Sequence, residues 1–169
     1  QTLASPPPGG LRWRVLQREL LDVLRALAYA HAHGVLHCDI KPSNILRTSP
    51  SAVSRVKLAD FGLARRYREH PHPLSGAGSH HYMAPEQRLK SWHDFGPWTD
   101  LYALGCTAWH LLCGEPVFNR EQPIHQQLSQ PLPRFTPLIA VPDGLGEWLA
   151  SLLVADPRFR VQHAADALA

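Results

Sequence analysis

One stretch of the chain gathers reactive side chains at close spacing. The string His37-Cys38-Asp39-Ile40-Lys41-Pro42-Ser43-Asn44 puts a carboxylate, an ammonium and a carboxamide within six residues. Two more strings follow in order, Asp60-Phe61-Gly62 and then Ala84-Pro85-Glu86. Each string alone is weak, since any tripeptide arises by chance in a chain of this length. Each residue also has a plain reading: Asp39 as a turn former, Lys41 as a solvated surface charge, Asp60 as a cap. All three strings, ordered and spaced as they are, form a much stronger joint signal than any one of them. The histidines add nothing to it. His70, His72, His80 and His81 crowd the segment after Asp60, without the tight Cys/His spacing of a zinc site. Trp13, Trp98, Trp109 and Trp148 read as core or helix-face residues rather than as a ligand cage.

Regular elements must hold these strings. After the breaker Pro6-Pro7-Pro8-Gly9-Gly10, the residues Leu16, Leu20, Leu24, Leu27 and His31 recur at helical spacing, and Gly34 stands where such a helix stops. Val35 to His37 is expected to be extended. Ile45-Leu46 and Val56-Lys57-Leu58 read as two strands of a hairpin with a long connection. Residues 62–85 show no period and read as loop. Trp98 to Cys113 is apolar on nearly every side, the mark of a central buried helix stopped by Gly114. Glu115 to Asp143 holds six of the sixteen prolines, so an irregular wrap with one short helix is expected. Leu145, Trp148, Leu149, Leu152 and Leu153 mark a further helix, and Val161 to Ala169 reads as the start of a last one. The class is α+β, mainly helical, with one small β-hairpin.

The three strings, ordered around a hairpin and a loop, resemble the protein-kinase family, and within it the C-terminal lobe. The resemblance runs along nearly the whole chain. It includes Tyr82-Met83 before Ala84, Asp100-Leu101-Tyr102-Ala103-Leu104-Gly105, and the late string Asp156-Pro157-Arg158-Phe159-Arg160. It implies a partial kinase domain over residues 1–169, with a catalytic-loop region at 35–46 and an activation segment at 60–86. Catalysis of phosphoryl transfer is chiefly positioning and charge neutralisation. On this resemblance Asp39 accepts the proton of the substrate hydroxyl and Lys41 faces the transferring phosphate. Asn44 and Asp60 hold Mg2+, a hard ion that prefers oxygen. Leu46 matches the floor of the adenine pocket, though a plain strand core position suits it as well. Glu86 and Arg160 match a buried ion pair, Asp100 a carboxylate accepting backbone hydrogen bonds from the catalytic loop, and His37 a further support. Lys41-Pro42 is similar to the Ser/Thr branch. The implied cosubstrate is ATP with Mg2+, and the implied partner is a protein with a Ser or Thr acceptor.

Two departures from the family stand out. Position 38 is Cys where many kinases carry the arginine that grips a phosphorylated loop, so phosphorylation at Ser75 or Ser79 is expected to matter little, and Ser79 is expected near Lys41 and Asp39. The lysines are only Lys41, Lys57 and Lys90, and neither Gly76-Ala77-Gly78 nor Gly144-Leu145-Gly146 lies in an N-terminal hairpin. The phosphate-covering glycine loop and the strand lysine are thus missing from these residues. The expectation is a lobe whose N-terminal partner lobe belongs to the same parent chain, with apolar surface left open around Leu36, Leu46 and Leu58. The competing expectation is an inert orphan lobe or a pseudokinase-like binding module.

Composition narrows the class further. The 169 residues carry a net charge of +3 with no basic stripe, which argues against a nucleic-acid partner. A hydrophobic share of 44% supports a real core, while charged residues reach only 18%. Three cysteines cannot pair completely, and Cys106 and Cys113 read as buried core thiols, as in a reduced cytoplasmic protein. The longest apolar stretch is too short to span a bilayer.

Overall fold

The computed structural model describes residues 1–5, 10–48, 55–61, 65–66, 80–118 and 123–168. Helix α1 runs over Trp13–Ala32 and buries Leu16, Leu20, Val23, Leu24 and Leu27 on one face. Each fully buried leucine or valine contributes about 1.5–3 kcal/mol of transfer free energy, so this stripe sets the helix against the rest of the fold. Gly34 follows in the left-handed region at φ 73° and turns the chain away. The stripe contains one charge, Glu19, which is as buried as its leucine neighbours.

Two small antiparallel sheets flank the helices. Strand β1 is Val35–Leu36, β2 is Ile45–Arg47, β3 is Val56–Leu58 and β4 is Arg65–Arg66. β2 pairs with β3 in the register Ile45↔Leu58, Leu46↔Lys57 and Arg47↔Val56. β1 pairs with β4, opposing Val35 to Arg66 and Leu36 to Arg65. The hairpin was legible in the sequence and β4 was not, because two residues carry no periodicity. Residues 1–3 run along β2: Thr2 bridges Leu46, Leu3 N–H donates to Ile45 O at 2.9 Å, and Arg47 N–H donates to Gln1 O at 2.7 Å.

After α2 (Pro85–Arg88) the central helix α3 covers Pro97–Cys113, and its residues from Thr99 to Trp109 are all buried. Helices α4 (Ile124–Ser129) and α5 (Leu145–Leu152) complete the set. Helix α5 packs tightly on α3 at Gly105, where a Cβ would come within 3.1 Å of both Leu152 and Leu153 side chains. The interior of a protein is close-packed, so any larger residue at 105 would push the two helices apart. Among the described residues no helix is long and apolar enough to cross a membrane.

Three sequence expectations need correction. Residues 161–168 form no α-helix, only a single 3-10 turn at Asp166–Leu168. Cys106 is buried, but Cys113 is only half-buried at the last position of α3. Leu36 is 1% exposed, because it lies under α1 and against β4, whereas Leu46 is 37% exposed on the outer face of the hairpin. The open apolar surface therefore centres on Leu46 and Phe61 and leaves Leu36 out.

Candidate active site

The loop between β1 and β2 carries Asp39, Lys41 and Asn44, and the turn at Pro42–Asn44 folds the last back onto the first. Asp39 Oδ2 accepts from Lys41 Nζ at 2.7 Å and from Asn44 Nδ2 at 2.9 Å. Asn44 Nδ2 also donates to the Asp39 carbonyl at 2.9 Å, which fixes the amide with both its protons in use. Its Oδ1 takes no hydrogen bond among the described residues. The Ala59 N–H donates to Asn44 O at 2.9 Å, so Asp60 begins one residue from the backbone of Asn44. Asp60 is exposed, with φ at 62°.

His37 joins the first string to the second. Its ring is fully buried; Nε2–H donates to Ala59 O at 3.0 Å, and Nδ1 accepts from Asp39 N–H at 3.3 Å. The same ring lies 4.6 Å from that of Phe61. One side chain thus sets the spacing between the Asp39 loop and the end of β3.

Beneath the loop, Asp100 near the start of α3 is completely buried, a position that demands hydrogen-bond partners. It has three: His37 N–H at 2.9 Å, Cys38 N–H at 2.8 Å and His31 Nε2 at 2.8 Å. Cys38 sits at φ 62°, a left-handed conformation that is strained by about 1–3 kcal/mol for a residue with a side chain. Its N–H goes to Asp100, and its carbonyl accepts from Gln87 Nε2 at 2.9 Å. Gln87 was not singled out in the sequence. The signal available was its place directly after Ala84-Pro85-Glu86.

Glu86 and Arg160 lie 74 residues apart in sequence and meet in two hydrogen bonds, at 2.8 and 3.1 Å. Both side chains are buried, at 2% and 0% exposure. The remaining guanidinium hydrogens go to the carbonyls of Val154, Ala155 and Trp98, while Thr99 Oγ1 donates to Glu86. The guanidinium also stacks over the Tyr102 ring at 4.6 Å. A second buried pair went unread in the sequence. Arg47 on β2 reaches Glu19 on α1 at 2.6 and 3.2 Å and also donates to the carbonyls of Thr2 and Ser5.

Behind the loop, Tyr82 OH meets His110 Nδ1 at 2.6 Å with the rings stacked. Burial pushes the Tyr82 hydroxyl up to about 12 and lowers His110, with His81 adding to the second shift. The phenol therefore stays protonated and donates to a neutral imidazole, whose own proton resides on Nε2.

The structure brings Asp39, Lys41, Asn44, His37 and Asp100 into one hydrogen-bonded unit and sets Asp60 at its edge. Glu86 and Arg160 anchor the base, away from the loop's open face. Leu46 stands on the hairpin with its side chain partly open. No group of three or more His, Cys, Asp or Glu residues is poised to hold a metal among the described residues. The oxygen donors at hand, Asn44 Oδ1 and the Asp60 carboxylate, are of the type a hard divalent cation takes while keeping waters and substrate oxygens. Ser75 and Ser79 fall outside the described residues.

Residues 9–165 match the protein kinase domain family. The chain is 34% identical over 167 residues to serine/threonine-protein kinase PknF of Mycobacterium tuberculosis, an alignment covering 94% of this chain and 34% of that protein. It is 39% identical over 148 residues to human serine/threonine-protein kinase PAK 4, covering 85% of this chain and 24% of that protein. With cyclin-dependent kinase-like 2 of Rattus norvegicus it shares 37% over 120 residues, covering 70% and 23%. The chain thus spans about a third or less of the length of these relatives.

Proposed function

The chain belongs to the protein kinase domain family, and on that premise we propose that it is the C-terminal lobe of a serine/threonine protein kinase that passes the γ-phosphate of ATP to protein hydroxyls. The observation that carries this reading is Asp39, its carboxylate held at one oxygen by Lys41 and Asn44 and its backbone N–H bonded to the His37 ring, which reaches on to Ala59 O beside Asp60. Lys41-Pro42 and the named relatives favour Ser/Thr acceptors over tyrosine.

In this reading the acceptor hydroxyl approaches Asp39, and its oxygen attacks the γ-phosphorus in line. The bond from phosphorus to the leaving ADP oxygen breaks as the hydroxyl proton passes to Asp39. Lys41, now 2.7 Å from Asp39, turns its ammonium toward the charge spread over the transferring group. Asn44 and Asp60 would hold Mg2+, which when bound neutralises phosphate charge. His37 and Asp100 take no part in bond making. They keep the loop in its strained trace, and positioning is where most of the rate arises. Lys57 and Lys90 are exposed, on β3 and after α2, so neither of these lysines is read as a second clamp on the phosphates. Alone, residues 1–169 are expected to bind Mg-ATP weakly and to transfer no phosphate.

The test is phosphate transfer from labelled ATP by the full-length protein, with and without Asp39→Asn. Loss of a general base typically costs about 10²–10⁴-fold in rate. Undiminished transfer by Asp39→Asn would overturn the assignment. Transfer by residues 1–169 alone would overturn the need for a second lobe.

A further inference from the structure

Between the end of α1, the start of α3 and residues 163–165 lies a cleft of about 490 Å³ that the mechanism above does not use. Phe95, Pro97 and Trp98 supply its rings, and Ala28 and Ala32 contribute only methyl groups. His31 lines it as well, with a side chain only 7% exposed. Its Nε2 is committed to Asp100 at 2.8 Å, while its Nδ1 is buried with no hydrogen-bond partner. We propose that the cleft binds a small, uncharged, fused-ring aromatic molecule through a hydroxyl that meets His31 Nδ1.

The imidazole decides the polar handle. The Asp100 carboxylate can only accept, so the hydrogen between them belongs to His31 Nε2, and Nδ1 of the neutral ring keeps a lone pair. A buried acceptor without a donor is destabilising, so a ligand bringing one O–H makes a bond the described residues leave unmade. The lining decides the charge. No Lys, Arg, Asp or Glu lines the cleft among the described residues. A cation would find no free carboxylate, because Asp100 lies behind His31 with its oxygens on that ring and on the N–H groups of His37 and Cys38. An anion would lose its water while approaching that same buried carboxylate. His163 stands exposed at the rim, where water makes it a weak partner for an anion. The shape is set before any ligand arrives. Trp98 Nε1–H donates to Asp94 O at 2.7 Å, and its indole lies so close to Gly96 that any Cβ there would collide with it. Phe95 rests 5.2 Å from the Trp92 ring. Such fixed aromatic walls favour a flat ring, and the volume suits more than a single benzene ring.

The experiment titrates the full-length protein with naphthol, methoxynaphthalene and naphthoate, each substituted at the same ring position. Affinity is measured by equilibrium dialysis, and the site is read from the ring nitrogen resonances of His31, so neither readout needs phosphate transfer. Naphthol is expected to move the Nδ1 resonance and to bind roughly tenfold more tightly than methoxynaphthalene, which carries no donor; that factor is the scale of one hydrogen bond. Naphthoate is expected to bind more weakly than naphthol by at least as much. Ala165→Trp and Ala32→Trp, both at exposed positions of the lining, should each fill the cleft and abolish the shift. Naphthol that leaves Nδ1 unmoved overturns the proposal. So does equal binding of either other compound, or naphthol binding that neither tryptophan variant weakens.

Discussion

Arg158 and Arg160 stand two residues apart, and each grips a carboxylate with a forked set of hydrogen bonds. Arg158 reaches Asp156 at 2.6, 3.0 and 3.2 Å, with its side chain 81% exposed. Arg160 reaches Glu86 at similar lengths and is fully buried. The geometry is nearly the same, yet the consequences are opposite. Water already solvates the first pair whether or not it forms, and the bridge closes a loop of only three residues. The second pair joins segments 74 residues apart, and neither member has water to fall back on. Bond lengths alone therefore say little about what an ion pair holds together.

The largest effect should come from Glu86→Ala. It strands a buried guanidinium, and urea unfolding is expected to show a loss of about 3–5 kcal/mol. A loss near that of a surface substitution would mean the pair is idle. Replacing both partners, Glu86→Leu with Arg160→Met, sharpens the point. A buried pair exchanged for apolar residues is often nearly neutral. Here Arg160 also satisfies the carbonyls of Val154, Ala155 and Trp98, and each unmet buried acceptor costs about 1–3 kcal/mol. The double variant should therefore recover only part of the loss, and full recovery would show that those carbonyls find other partners.

A smaller effect follows from His110, whose pKa burial lowers below its ordinary value. In the window between the folded value and about 6.5, the unfolded chain binds the proton and the folded chain does not. His110 thus favours the fold above that window and weakens it as pH falls through it. The variant His110→Asn should lose stability less steeply than the parent between neutral and mildly acidic pH. Parallel melting curves at all pH values would contradict this.

The smallest effect belongs to the exposed pair. Arg158→Ala should leave the melting temperature unchanged within error. It should still be visible in a carboxyl titration, where hydrogen bonds from Arg158 hold Asp156 down to about 2. A depressed carboxylate favours the fold above its unfolded pKa and loses that contribution as pH falls through about 2. For so exposed a group the contribution is below detection, while the NMR midpoint should rise toward ordinary values in the variant.

Much of the scaffold was legible because its signals are long or chemically distinctive. The stripe Leu16 to His31 announces α1, and the apolar run to Cys113 announces α3. Asp39, Asn44, Asp60, Glu86 and Arg160 were found as residue types in a fixed order. What could not be read depends on pairings with no local trace. Glu19 looks like a solvent-facing charge until Arg47 arrives from another strand. Gln87 looks like an ordinary helix residue until its amide reaches Cys38 O across 49 positions. β4 and the edge made by residues 1–3 are too short to carry a period.

The grip on Cys38 has a consequence for how this chain can change over generations. Asp100 and Gln87 hold position 38 by its N–H and its carbonyl, atoms that every residue except proline presents alike. The genetic code can thus alter what is displayed at 38 without altering the course of the chain through it. The unusual trace is inherited from neighbours, whereas the side chain is inherited from its own codon. Drift at 38 is channelled into chemistry rather than shape, and drift at Asp100 or Gln87 into shape. An exchange of the cysteine at that point leaves the two backbone hydrogen bonds to Asp100 and Gln87 available to its successor.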